Sequence, residues 1–431
     1  MFARTVDDRP VDKPANRVTA RFAVLALRDL RFVFASTLVS DLGDGIISVA
    51  LAFAVLDLTG SVTDLGIIVA ARFVAQVLVM IVAGVVADRL SRRTVMVAAD
   101  LVRFAGQLTI GLLLISGHAT VLELALSQVL IGAGGSFFIP ASSGLLQTVA
   151  GDHVQEANAL NVIASSGSSM LGPALGGLLV VGVGADWALI FDGASYLISA
   201  LLLAGMSGAA AMAVQRKAEP STFLADLRGG FSQISSRRWL WSSIVVMTLA
   251  NLFGAAFPVL APLICRQHYG GAPAYASLSV CFAVGMLIGG SALLRFKPKH
   301  PLRAAFLAGA PALVSGVLLA LHAPIYVVGL FQVTAGAGAT ACNAMWWTTM
   351  QQNVPREAMS RVISYEYAST LSIVPVGAAL AGPLAHAIGV SPALAICCGA
   401  AVAINFTALA VRDIRTLETR PAQPAAPLAS A

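Results

Sequence analysis

Residues 65–115 read LGIIVAARFVAQVLVMIVAGVVADRLSRRTVMVAADLVRFAGQLTIGLLLI, two long apolar runs joined by a short segment that carries three arginines. Each run is long enough to cross the hydrocarbon core of a bilayer, which takes roughly 20 apolar residues in a helix. Each run must be helical, because an unpaired backbone amide in lipid costs several kcal/mol. The stretch therefore predicts two membrane-spanning helices joined by a short basic loop.

The same pattern continues along the whole chain of 431 residues, of which 58% are hydrophobic and 11% are charged. A soluble globular domain carries about 25% charged residues, so a water-soluble enzyme is excluded. With short connections, a chain of this length holds around twelve spans. We therefore predict an all-α membrane protein with twelve transmembrane helices. The predicted spans are residues 31–57, 65–87, 94–116, 120–142, 159–183, 186–206, 238–262, 272–294, 302–321, 324–349, 362–387 and 390–411.

Lysine and arginine determine the predicted orientation, because they accumulate on the cytoplasmic side of membrane proteins. A cytoplasmic N-terminus places nearly all of the 27 basic residues inside. The exceptions are Arg72 and Arg103, which lie within spans, and Arg266, which lies outside. The sequence thus predicts a multi-pass protein of the cytoplasmic membrane with both termini inside. Its net charge of +6 indicates contact with anionic lipid headgroups rather than with nucleic acid.

A long polar segment divides the spans into two groups of six. An offset of 205 residues aligns Gly172 with Gly377 and Gly177 with Gly382, which indicates two related halves. Related halves around a midplane site are a transporter architecture. The predicted divisions are a cytoplasmic tail (1–27), a six-helix half (28–206), a cytoplasmic linker (207–237), a second six-helix half (238–411) and a disordered tail (412–431).

The loop after the second span contains Gly84, Asp88, Arg89, Arg92 and Arg93. A carboxylate beside three guanidiniums can pair with a helix N-terminus or another carboxylate in one conformation and release it in another. Ordinary cytoplasmic charge would explain the arginines but not the Gly-x-x-x-Asp-Arg spacing. This loop resembles that of the major facilitator superfamily, G-x-x-x-D-R-x-x-R-R/K, and we interpret it as a conformational gate.

Span 5 contains Gly172, Pro173, Gly176 and Gly177, where the proline removes a helix hydrogen bond and the glycines allow close packing. The stretch is similar to the G-P-x-x-G-G motif of the superfamily's exporter branch. Residues 34–200 resemble most specifically the subgroup of macrolide-efflux proteins and enterobactin-type siderophore exporters. The resemblance implies two pseudo-symmetric six-helix halves and proton-driven export. It departs at Gln128, where exporters of this superfamily carry an arginine, so proton coupling is left open.

Charged residues within spans need a reason, since each costs about 2.5–3.5 kcal/mol at mid-bilayer on insertion scales. Asp41 and Asp44 share one face of span 1, and Arg72 of span 2 lies within reach of Asp44. We hypothesise that Asp44, with Asp41, is the protonation and substrate-coupling site and that Arg72 is its partner. A structural ion pair that locks helices 1 and 2, or a water-exposed lining without coupling, are the alternatives.

Asp100 and Arg103 lie one turn apart in span 3. Their closeness in sequence to the loop at Asp88 favours a part in the conformational gate, and mutual neutralisation is the equally supported alternative. Asp192 of span 6 and Glu366 of span 11 are interpreted as carboxylates solvated from the headgroup region, and contact with the arginines at 89–93 across the two halves is the alternative for Glu366.

Together these features predict alternating-access export of a small amphipathic molecule, either a drug such as a macrolide or a secreted metabolite such as a siderophore. The expected energy source is a proton gradient, with no cofactor or metal, and a monomer suffices. Uptake or facilitated diffusion of a polar solute is the alternative. A membrane-embedded enzyme is a remote one, because no cluster of His, Asp or Ser lies at a membrane face.

Overall fold

The computed structural model describes residues 27–207, 234–293, 298–354 and 356–418, and these ranges contain helices and no strand. The helices are α1 (Arg28–Thr59), α2 (Val62–Arg89), α3 (Arg92–Ile115), α4 (Val121–Ala150), α5 (Val154–Val183), α6 (Ala185–Ala204), α7 (Arg238–Gly254), α8 (Ala256–His268), α9 (Ala272–Leu293), α10 (Pro301–Ala320), α11 (Ile325–Asn353), α12 (Arg356–Ile388), α13 (Val390–Thr407) and α14 (Arg412–Thr416).

Ten segments of the described chain are long and apolar enough to cross a membrane, counting α7 and α8 as one. Shorter apolar stretches, Gly167–Val183 and Ser372–Ile388, lie in the longer helices α5 and α12. These segments are consistent with the predicted twelve spans and confirm an all-α membrane fold.

Span 7 differs from its predicted form, because it consists of two helices that meet at Ala255 and reach His268 rather than ending at residue 262. Pro258 stands in the first turn of α8 and has no N–H to donate to the carbonyl of Gly254. Its ring also crowds that carbonyl, so an unbroken helix through this point is disfavoured.

The helices of the first half and those of the second pack in the same pattern. In the first half α1 packs against α5 and α6, α2 against α4, and α3 against α4 and α6. In the second half α7 packs against α12 and α13, α9 against α11, and α10 against α11 and α13. Each contact of one half thus has a counterpart in the other, as expected of two pseudo-symmetric six-helix units.

One pair of glycines matched by the 205-residue offset, Gly177 and Gly382, occupies equivalent places between the halves. A Cβ on Gly177 of α5 would collide with Ala276 of α9, and a Cβ on Gly382 of α12 would collide with Thr63 of α2. The halves therefore meet along two symmetry-related seams, α5 with α9 and α2 with α12.

One buried core joins the two halves at the face opposite the termini. It combines the C-terminal part of α1 and the start of α2 with residues of α8, α9 and α12. At the face that bears the termini, by contrast, each half has a buried core of its own. One is built around Leu30 and Met96, and the other around Trp346 and Ile414. The described cores thus connect the halves at one face of the molecule.

Candidate functional site

Asp44, in the middle of α1, accepts hydrogen bonds from three other helices. Arg72 Nη2 of α2 lies 2.7 Å from Asp44 Oδ1, and Arg103 Nη2 of α3 lies 2.5 Å from Oδ2. The hydroxyl of Tyr196 in α6 donates to Oδ1 at 3.0 Å. The contact expected between Arg72 and Asp44 is therefore present, and one carboxylate bridges two guanidiniums.

Arg103 extends this network to a second carboxylate. Its Nη1 lies 3.2 Å from Asp100 Oδ1, and Ser199 Oγ donates to Asp100 Oδ2 at 2.5 Å. The guanidinium also lies 3.8 Å above the centroid of the Tyr196 ring, a favourable cation–π geometry. Arg103 and Asp100 are 4% and 0% exposed, so they form part of the core between α1, α3 and α6.

This placement changes the interpretation of Asp100 and Arg103, which the sequence analysis grouped with the loop at Asp88. Their contacts join them to the Asp44 cluster, here meaning Asp44, Arg72, Arg103, Asp100 and Tyr196. The physical reason is that the described face of α3 carrying both residues packs against α6 and reaches α1. A part in gating remains a prediction for these two residues.

Asp192 of α6 lies beside the Asp44 cluster, and its expected solvation from the headgroup region is wrong, since it is 0% exposed. Neither carboxylate oxygen has a hydrogen-bond partner among the described residues. Its Oδ1 lies 2.5 Å from the point where a Cβ on Gly43 would stand, so the missing side chain of Gly43 makes room for it. Asp192 therefore faces α1 next to Asp44.

Asp41 lies one turn before Asp44 and is half-buried. The described part of the chain offers it no hydrogen bond and no ion pair. The shared role hypothesised for Asp41 and Asp44 stays a prediction.

Two of the loop arginines bind the ends of helices. Arg92 Nη1 donates to the carbonyl of Gly144 at 2.5 Å, near the end of α4. Arg93 Nε donates to the carbonyl of Leu203 at 2.9 Å, and its Nη2 bonds the carbonyl of Ala204 at the end of α6. Cations are favoured at helix C-termini, where carbonyls are unpaired and the helix dipole is negative.

The sequence predicted that this loop pairs with a helix N-terminus or another carboxylate in one conformation, and that pairing stays a prediction. Gly84, Asp88 and Arg89 end α2, but their side chains lie outside the described residues. The proposed gate therefore remains a prediction.

The glycine-proline stretch of α5 packs tightly on α1. A Cβ on Gly172 would lie 2.6 Å from the Cα of Gly45, and one on Gly176 would lie 2.8 Å from the carbonyl oxygen of Ile46. Pro173 stands within the same helix. The motif therefore brings the backbones of α1 and α5 together just beyond Asp44.

A cavity of about 670 Å³ lies between α5 and the second half. Its walls are mostly apolar and contain Met247 and the rings of Phe257, Phe282 and Phe306, and none of its lining residues is charged. The polar side chains that line it are Ser169, Asn251, Ser279, Gln332, Asn343 and Asn405. An apolar cavity with a few amides and hydroxyls suits an uncharged amphipathic molecule.

Gln128 is fully buried in α4, and neither atom of its amide finds a hydrogen-bond partner within the described chain. The position at which exporters of the superfamily carry an arginine is therefore an uncharged, unpartnered amide. The described arginines of this region are instead Arg72 and Arg103, which both bind Asp44.

The sequence did not lead us to predict Tyr196 and Ser199 as residues of this site. They lie four and seven residues after Asp192, a spacing that places all three on one face of a helix. A polar stripe at that spacing in an apolar span was the available signal.

The comparisons with known proteins agree with this arrangement. The family model of the Major Facilitator Superfamily matches residues 33–375. The uncharacterized MFS-type transporter YfiS of Bacillus subtilis is 26% identical over 389 residues, covering 86% of this chain and 90% of that protein. The multidrug efflux pump Tap of Mycobacterium bovis is 24% identical over 394 residues, covering 88% and 93%.

Among solved structures, the nucleoside transporter NupG (D323A mutant) has the same fold, with a TM-score of 0.75 at 11% identity. The match covers 89% of this chain and 99% of that one. The family model spans well over half of the chain, and the helix packing agrees with it. The chain is therefore a multi-pass membrane transporter of the Major Facilitator Superfamily.

Proposed function

We propose that this transporter exports a small amphipathic molecule from the cytoplasm by proton antiport. The observation that carries the proposal is the separation of two features within one molecule. The cavity between α5 and the second half has no charged residue in its lining, whereas the first half buries a carboxylate–guanidinium network. Such a separation suits a carrier that binds substrate in one half and protons in the other.

The chemistry of the cavity supports the substrate class. Phenylalanine rings provide apolar contact area, and the amides of Asn251, Gln332 and Asn343 offer both donors and acceptors. A macrolide drug or a secreted metabolite such as a siderophore carries hydroxyl and carbonyl groups on an apolar frame, which suits these walls. The similarity to the multidrug efflux pump Tap supports export of this class.

The position of the cores supports loading from inside. The basic residues favour a cytoplasmic location for both termini in the cell membrane. The described cores join the halves at the opposite face, which supports a substrate cavity that opens to the cytoplasm in this conformation. Export then requires the halves to rock about the cavity, as in other carriers with related halves.

In this proposal the Asp44 cluster couples proton movement to substrate transport. Asp41 and Arg72 are, with Asp44, the groups that the sequence assigned to this role. A proton that enters from outside would bind a carboxyl in or beside the cluster, and its release inside would change the ion pairs that join the helices of the first half. The proton gradient supplies the energy, and no cofactor takes part in the proposed cycle.

Transport into inverted membrane vesicles tests the proposal. Vesicles that contain the full chain are loaded at acidic internal pH and offered ethidium, erythromycin or enterobactin outside. We expect accumulation of at least one probe, abolished by collapsing the pH gradient and by Asp44→Asn. Flux that is unaffected by the gradient would favour facilitated diffusion, and flux out of the vesicles would favour uptake. The absence of flux of any probe would contradict the export of this substrate class.

A further inference from the structure

Asp192 is the carboxyl group that the network leaves without a hydrogen bond. It is 0% exposed, and both of its oxygens lack a partner among the described residues. The hydroxyl of Tyr196, one turn further along α6, donates a hydrogen bond to Asp44. An ionised carboxylate in this position would be buried away from water without a hydrogen-bond donor, which is strongly unfavourable.

Arg103 has a buried hydrogen-bond donor that is not used. Its Nη1 and Nη2 bind Asp100 and Asp44, but its buried Nε–H has no acceptor in the described chain. Asp192 interacts electrostatically with this guanidinium, which lies over the ring of Tyr196. The structure thus places an unused donor and two unused acceptor oxygens within one buried cluster.

The charged groups that act on Asp192 come from the helices that pack around it. Asp44 of α1, Arg72 of α2 and Arg103 of α3 interact electrostatically with Asp192. Asp41 of α1 and Asp100 of α3 interact with Arg103 in turn. Glu156 is the sole ionisable residue in the sequence of α5, and it lies in the first turn of that helix. The guanidiniums of Arg72 and Arg103 therefore share one region with four carboxyls, and this set is neutral when two of the carboxyls are protonated. The four are those of Asp41, Asp44, Asp100 and Asp192.

We propose that Asp192 carries the exchanged proton and that its loss moves Arg103 from Asp44 towards α6. The inference rests on the proposed proton antiport. In the conformation described, the Asp192 carboxyl is protonated and uncharged, while Asp44 holds both arginines.

The step conserves atoms and charge. The O–H bond of the Asp192 carboxyl breaks, the proton leaves to water, and the electron pair remains on the carboxylate oxygen. That oxygen then accepts the Nε–H of Arg103, which weakens the bond from Arg103 to Asp44. Because Asp44 belongs to α1 and Asp192 to α6, this exchange of partners alters the packing of α1 against α6 and α5, beside the substrate cavity.

Infrared spectroscopy of the full chain in lipid nanodiscs tests the assignment directly. A protonated carboxyl in an apolar site has a C=O stretch distinct from that of a carboxylate. We expect the wild-type protein to lose intensity in this region of the spectrum as the pH is raised, and Asp192→Asn to lack the part that Asp192 contributes, whereas a band of a second protonated carboxyl remains. Asp186→Asn is the matched control, because it makes the same change in the first turn of the same helix, and it should retain the part that Asp192 contributes.

Transport by the same proteins supplies the second readout. Asp192→Asn should lose accumulation of erythromycin driven by a pH gradient but retain exchange of erythromycin for erythromycin across the membrane. Loss of exchange as well would indicate a folding defect, in which case Asp192→Ser, which is smaller and equally unable to titrate, replaces it.

Three outcomes overturn the assignment. The first is a set of protonated-carboxyl bands in Asp192→Asn that equals that of the wild type. The second is full proton coupling in that variant while the wild type remains proton-driven. In both cases the proposed antiport stands. Wild-type flux that ignores the pH gradient overturns the antiport itself, and the assignment of Asp192 with it.

Discussion

At the scale of single residues, the Asp44 cluster is the feature that most needs explanation in an apolar span. Asp44 accepts from Arg72, Arg103 and Tyr196, so its charge is compensated on both oxygens. Removal of one member leaves an uncompensated charge in the core, which is far more costly than the pair is stabilising. The cluster therefore holds α1, α2, α3 and α6 in register.

Replacement of the central arginine should show this. We expect Arg103→Gln to lower the free energy of unfolding by about 3 kcal/mol, because it leaves Asp100 without a guanidinium and Asp44 with Arg72 alone. The control is Arg266→Gln, which breaks the exposed pair of Arg266 with Asp57 at 2.9 Å, where the side chains are 42% and 60% exposed. Arg266→Gln should lower the free energy of unfolding by under about 1 kcal/mol. Thermal unfolding of the purified proteins compares the two, and equal losses would refute a special role of the cluster.

Sequence could predict part of this site. The contact of Arg72 with Asp44 was predictable because a short turn joins α1 to α2 and places both groups at similar depth. The contact of Arg103 with Asp44 was not, because it depends on which faces of α3 and α6 turn towards α1. The burial of Asp192 depends in turn on Gly43, whose missing side chain makes room for it.

At the scale of helices, α1 and α5 approach each other more closely than side chains normally allow. A Cβ on Gly172 would stand 2.6 Å from the Cα of Gly45, so neither residue tolerates a side chain without a backbone shift. Small residues at helix contacts are a general means of association in lipid. Here the contact adjoins Asp44 on one helix and the substrate cavity on the other.

Two glycines of α5 should respond in opposite directions to the same change. Gly172→Ala should destabilise the protein and reduce transport, because its Cβ meets the backbone of α1. Gly167→Ala should be neutral or stabilise it by about 0.5–1 kcal/mol, since a Cβ there meets nothing within 4 Å and glycine disfavours helix. Thermal unfolding gives the sign of each change. Stabilisation by Gly172→Ala would contradict the close packing of α1 and α5.

The helices were predictable from hydropathy, whereas their interruptions and partners were less so. Pro258 stands within the predicted span 7, yet a proline in a membrane helix can either bend it or break it, and the sequence does not distinguish these. Arg92 and Arg93 were expected to serve a gate, but their contacts with the ends of α4 and α6 depend on how those helices pack.

At the scale of the whole molecule, the two halves repeat one packing pattern but divide the chemistry. The described ion pairs within the spans lie in the first half, and the large uncharged cavity lies against the second. The repeat could be anticipated from glycines 205 residues apart, because identical contacts require identical small residues. The placement of the ion pairs in the first half and of the cavity against the second could not be anticipated, since it depends on which polar side chains point inward.

A native cysteine offers a test of which face the cavity opens to. Cys342 lines the cavity, whereas the equally half-buried Cys281 does not and faces Gly329 instead. In single-cysteine proteins, we expect a membrane-impermeant maleimide to label Cys342 from the cytoplasmic side and erythromycin to slow the reaction. Labelling at Cys281 should be unaffected by erythromycin. Reaction of Cys342 from the outer side alone would contradict the proposed conformation.

The most direct test of the central claim measures proton release when substrate binds to the purified full-length transporter. Erythromycin is added to the protein in a weakly buffered solution, and the pH change is recorded together with binding. The account predicts that binding releases protons in the wild type and that Asp192→Asn binds erythromycin without releasing them. Binding of erythromycin to the wild type with no release of protons would contradict a proton-coupled exporter.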